Sequence, residues 1–86
     1  MNSKIEEKTK AELWRREMIE LFQEASRHEK FVAEIGFSNK DAQKARFQSA
    51  NRYAAITEML SNSSFDTISQ GEAEIEKVRR RFKHNK

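Results

Sequence analysis

Residues 14–35 read WRREMIELFQEASRHEKFVAEI, and the fold class follows from the spacing of their apolar members. Trp14, Met18, Leu21, Ala25, His28, Val32 and Ile35 recur at alternating steps of four and three. Such steps keep one edge of an α-helix in register over about three heptads, as in a helix that lies against another helix. The spacing predicts an all-α protein in which this edge of a long first helix is buried.

Boundaries can be read on either side of that stretch. Upstream, Ser3-Lys4-Ile5-Glu6 fits the S-x-x-E capping box, which predicts helix 1 over 4–35. Downstream, Gly36 sits where a left-handed C′ residue ends a helix, with Phe37 placed to fold back on the last turn. Ser38-Asn39-Lys40-Asp41 is a second capping box and predicts helix 2 over 39–60. A connection this short makes the two helices an antiparallel hairpin.

Facing positions then place Ala42 near Val32, Ser49 near Ala25 and Leu60 near Trp14. Helix 2 is rich in small residues toward the turn, while Tyr53, Ile56, Met59 and Leu60 gather at its other end. Close approach at the tip and a fuller core at the open end are expected. Ser61-Asn62-Ser63-Ser64 reads as a linker within 61–65. Helix 3 is predicted over 66–82 with Asp66 or Ser69 as N-cap, followed by a basic tail over 83–86. Ile68, Gly71, Ile75, Val78 and Phe82 form its apolar edge, and Gly71 marks a close contact or the helix start. The expected architecture is thus a single domain over 1–86, a long antiparallel helical hairpin plus a shorter C-terminal helix.

Composition bounds the function. The 86 residues are 36% charged and 36% hydrophobic, with a mean hydropathy of −0.98, so the core is small. Without cysteine, neither disulfides nor thiolate zinc sites hold the fold, and the expected location is cytoplasmic. The N-terminus opens into charged residues without an apolar run, which disfavours a secretion signal, and no stretch is apolar enough for a membrane span. The first ten residues of helix 1 extend past Leu60, and Ile5, Leu13 and Phe22 are left for another chain unless helix 3 folds back. Self-association as a homodimer is the expectation.

Catalysis lacks support. His28 lies on the apolar edge and His84 in the tail, and the pairs Glu6-Glu7 and Glu72-Glu74 sit on polar helix faces. There is no glycine-rich phosphate loop and no ligand cluster with metal spacing, so no cofactor and no enzyme activity are expected. The favoured role is a protein–protein interaction module acting as adaptor, inhibitor or regulatory subunit. Its candidate contact residues are Trp14, Met18, Leu21 and Phe22.

The alternative is a small regulator bound to DNA or RNA. Around Gly36 the chain has the apolar–glycine–turn pattern of a helix-turn-helix, provided that the Ser26–Glu29 capping box divides the long helix. Asn39, Lys40, Gln43 and Lys44, with Arg46 beside them, would then face the groove. The C-terminal run has six bases and no acid from Lys77 onward, offering Lys77, Arg79, Arg80, Arg81 and Lys83 to phosphates. The same polarity also complements a helix dipole.

Overall fold

The structure, a computed structural model, describes residues 3–35 and 39–83. It contains three helices, α1 (Ser3–Glu34), α2 (Lys40–Ser61) and α3 (Ile68–Lys83), and no strand among the described residues. Helix α1 passes through Ser26 without a break, so the capping box over Ser26–Glu29 divides nothing. The Ser26 hydroxyl instead donates to the Ala50 carbonyl of α2 at 2.9 Å. Gly36, Phe37 and Ser38, which carry the predicted helix stop and second cap, lie outside the described residues. Asn39 performs the capping of α2: its Oδ1 accepts from the backbone N–H of Asp41 and of Ala42.

The hairpin is antiparallel along its whole length, with partners one or two positions further along α1 than expected. Gln43 donates to the Ala33 carbonyl (2.9 Å) and Arg46 pairs with Glu29 (2.7 Å). The Phe22 and Tyr53 ring centroids are 5.8 Å apart, and Arg15 Nη1 donates to the Leu60 carbonyl at 2.7 Å. The Leu60 carbonyl thus meets Arg15, while Trp14 packs against the core cluster to which Leu60 belongs.

This register corrects the predicted buried edge of α1. Leu21 and Ile35 are 56% and 65% exposed, and His28 is exposed with them. The inner edge runs instead through Ala11, Arg15, Met18, Phe22, Ser26, Glu29 and Ala33. Three of these are polar, and each has its partner on α2. A polar group covered with its partner in place costs little, whereas an unpaired one would be expelled. Counting apolar residues alone rotates the stripe away from such an edge. Of the predicted edge, Met18 lies on this inner edge, while Trp14, Ala25 and Val32 flank it and stay half-buried.

The gradient along the hairpin is as expected. Ala33 and Ala50 are buried toward the tip, and the large buried side chains Ile56, Leu60, Phe65, Ile75 and Val78 lie toward the open end with Ala11. Trp14, Met18, Ile19, Phe22 and Met59 pack around that cluster.

Neither Asp66 nor Ser69 caps α3. Thr67 does: its Oγ1 accepts from the Gln70 N–H at 3.2 Å, while Gln70 Oε1 accepts from the Asp66 N–H at 2.9 Å. Thr67-Ile68-Ser69-Gln70 is a capping box whose glutamine reaches one residue further back than usual. Ile68, Gly71, Ile75, Val78 and Phe82 then face inward as their spacing predicts. Gly71 is a close contact. A Cβ there would overlap the Trp14 ring at Cζ3 and lie 2.6 Å from Cη2.

Helix α3 runs in the same direction as α1, from Gly71 against Trp14 to Arg79 near Phe22, with Phe82 reaching Ala45 and Arg52 of α2. The overhang of α1 is therefore partly covered. Phe65 packs edge-on to Trp14, with centroids 6.3 Å apart, and Ala11 is fully buried beneath. Ile5 and Leu13 remain exposed, as anticipated, while Phe22 turns inward against Tyr53. No described helix is long and apolar enough to cross a membrane.

Candidate protein-interaction surface

Once its inner edge is assigned, α1 shows a second apolar stripe on the opposite side. Leu13, Leu21, Phe31 and Ile35 are each more than half exposed. At about 100° per residue these four fall within an arc of about 80°, turned away from the inner edge. Exposed single leucines are ordinary; four large apolar side chains aligned on one free helix face are not. The hairpin builds this face because α2 and α3 both pack on the other side of α1.

Carboxylates flank the stripe. Glu17, Glu20, Gln23, Glu24 and Arg27 line one shallow depression together with Leu21, three carboxylates against one guanidinium. All three glutamates are exposed, and among the described residues none has an ion-pair partner. A second apolar groove lies at the N-terminal end, where Ile5 and Leu13 meet Phe65 between Lys8 and Arg16.

The proposed interface residues separate. Leu21 lies on the free face, whereas Trp14, Met18 and Phe22 are half-buried against the core, where α3 leaves only their edges open in a cleft with Ile75 and Arg79. Phe31 and Ile35 also belong to the free face, beyond the contacts that the sequence suggests. The available signal was their helical spacing from Leu13 and Leu21, masked because Ile35 also fitted the supposed buried edge.

The helix-turn-helix residues are largely committed elsewhere. Asn39 caps α2, Gln43 binds the Ala33 carbonyl and Arg46 pairs with Glu29, while Lys40 and Lys44 are exposed. The two helices lie side by side, not at the wide crossing angle that delivers a recognition helix to a groove. On α3, Lys77 pairs with Glu74 at 3.0 Å and Arg80 with Glu76 at 3.6 Å. Arg79 and Arg81 are exposed, and Lys83 ends the helix. His84 lies outside the described residues.

The strongest local electrostatic feature is structural. Arg15 bridges Glu12 (2.7 Å) and the Leu60 carbonyl, where a cation also complements the end of α2. The hydrogen bond from Arg15 holds the Glu12 carboxyl below its usual value against an opposing desolvation, with the charge of Arg15 and then Arg16 adding to the effect. The same bond raises Arg15. Among the described residues no three His, Asp or Glu side chains converge as metal ligands. Compared with known protein families, curated proteins and solved structures, this chain matches none.

Proposed function

We propose that this protein is a non-catalytic helical interaction module, an adaptor, inhibitor or regulatory subunit, that engages a partner protein through the outer face of α1. The carrying observation is the aligned exposure of Leu13, Leu21, Phe31 and Ile35 on a helix whose other side holds the fold together. Water contact with such a stripe is unfavourable at about 25 cal/mol per Å² of apolar surface, and a partner that covers it recovers that term. Phe65 and α3 cover part of the α1 overhang through which a homodimer would form, so the partner favoured here is a different protein. A photo-crosslinking residue at Leu21 should give one discrete adduct in cell extract that the same residue at Ala54, exposed on α2, does not give. Identical patterns from both positions, or none from either, would count against this reading.

A second reading is favoured by the exposed Arg79, Arg80 and Arg81 on α3: an accessory contact to nucleic acid. If it holds, replacing all three with Gln lowers duplex affinity alike for every sequence and shrinks the log–log salt slope by up to about 3. The ion pair of Arg80 with Glu76 weakens this reading relative to the first.

A further inference from the structure

We propose that the outer face of α1 is a docking site for a basic amphipathic helix of another protein; this rests on the interaction reading above and names the partner's chemistry. Three observations converge on that occupant.

The first is area. The chain exposes 6692 Å², whereas a compact protein of its 10.2 kDa mass exposes about 5,300 Å². The surplus exceeds the roughly 800 Å² that each partner contributes to a stable interface. Its radius of gyration, 15.5 Å, also exceeds the about 12 Å of a compact chain of this length. Surface enough for a stable complex is left uncovered.

The second is charge. Glu17, Glu20 and Glu24 stand around Leu21 with Arg27 as the one cation of the depression, so an occupant that covers Leu21 brings its own flanking residues against a net negative rim. Lysine or arginine there gains attraction; glutamate or aspartate is repelled. The stripe from Leu13 to Ile35 spans about 33 Å at 1.5 Å per residue, the length of a helix of about 22 residues. A helix with apolar residues at i, i+3 or i+4 and i+7, flanked by bases, matches both the apolar and the acidic parts.

The third concerns the obvious competitor, a second copy. Two α1 faces laid together oppose one set of carboxylates to the other. The chain's own basic helix, α3, has Ile75 and Val78 buried in the bundle and Phe82 packed against it, so it has no apolar edge to lay on Leu21. The groove of Ile5, Leu13 and Phe65 between Lys8 and Arg16 does join apolar and basic residues, but it spans only about half the length of the stripe, so a second copy matches this face less well than a basic helix of about 22 residues.

The test uses three labelled peptides of about 20 residues: a Leu/Lys amphipathic helix, its Leu/Glu counterpart, and a scrambled Leu/Lys sequence. Binding is followed by fluorescence anisotropy at about 150 mM salt, where exposed charges more than about 8 Å apart are screened. The amphipathic Leu/Lys peptide should bind saturably at 1:1, at least about tenfold tighter than the other two. The exposed-site variant Leu21→Ser/Phe31→Ser should lose that binding while keeping its helical circular dichroism. The variant Glu17→Gln/Glu20→Gln/Glu24→Gln should weaken it several-fold and flatten its salt dependence. Equal binding of the Leu/Glu or scrambled peptide overturns the proposal. Sedimentation equilibrium of the chain alone separates the remaining outcomes. A dimer abolished by Leu21→Ser/Phe31→Ser overturns the basic helix as occupant and leaves the face as a binding surface. A monomer that binds none of the peptides overturns the inference and removes the support for this face as an interaction surface.

Discussion

Gly71 shows how one residue ties two helices together. In isolation, alanine is the better helix former by about 1 kcal/mol. Here the added methyl would overlap the Trp14 ring, which is itself packed against Phe65. Overpacking of this kind costs about 1–3 kcal/mol, so Gly71→Ala should lower stability rather than raise it. A urea titration gives the sign, and Trp14, the sole tryptophan, should change its emission as the ring shifts. A raised midpoint with unchanged emission would mean that α3 does not press on Trp14. Arg15 makes a comparable link between α1 and α2. Arg15→Met keeps the stem but removes the bond to the Leu60 carbonyl, a loss of about 1.5–3 kcal/mol for a charged donor. The partner of Arg15 predicts a pH dependence. Because Glu12 is lowered in the folded state, it contributes stability above its unfolded pKa that is lost as pH falls through the folded value. Glu12→Gln should therefore show a shallower loss of stability below the usual carboxylate range than the parent chain.

Among the elements, α3 and the hairpin were legible from sequence, and the facing of α1 was not. Helix ends are set by local chemistry, so capping residues place them within a residue or two. Asp66 and Ser69 are the more conspicuous candidates for the cap of α3, but Thr67 and Gln70 have the spacing of a capping box and make its bonds. Thr67→Ala should cost about 1 kcal/mol, and Ser69→Ala no more than about 0.5 kcal/mol, in thermal or urea unfolding. Equal losses would place the cap elsewhere. The edge of α3 was readable because its inward positions, Ile68, Gly71, Ile75, Val78 and Phe82, are apolar or glycine. The inner edge of α1 contains Arg15, Ser26 and Glu29, whose partners lie 45, 24 and 17 residues along the chain. No local pattern shows that a polar residue will be satisfied by a partner so distant. The candidate site was legible to the same extent: Leu21 was named as a contact and Leu13 as an uncovered residue, while Phe31 emerged only when the hairpin showed which side of α1 it leaves free.

At the scale of the whole molecule, the 59 × 25 × 15 Å shape follows from a hairpin much longer than the helix that covers it. The core is concentrated at the open end, and the tip is held by alanines and cross-helix polar bonds. Such a tip should open more readily than the Trp14–Val78 end, so amide exchange along residues 29–33 should be faster than along 56–60. Helix α1 has two apolar sides, one that holds the fold and one that is exposed and that we propose for a partner. Leu21 and Phe22 are neighbours in sequence and lie on opposite sides of that division. The most direct test is a pair of urea titrations, on Leu21→Asp and on Phe22→Asp. The account predicts that Leu21→Asp unfolds within about 0.5 kcal/mol of the parent chain. Phe22→Asp, placing an unpaired charge against Tyr53, should lose about 3 kcal/mol or more. A Leu21→Asp chain that unfolds while Phe22→Asp stays folded would contradict the account.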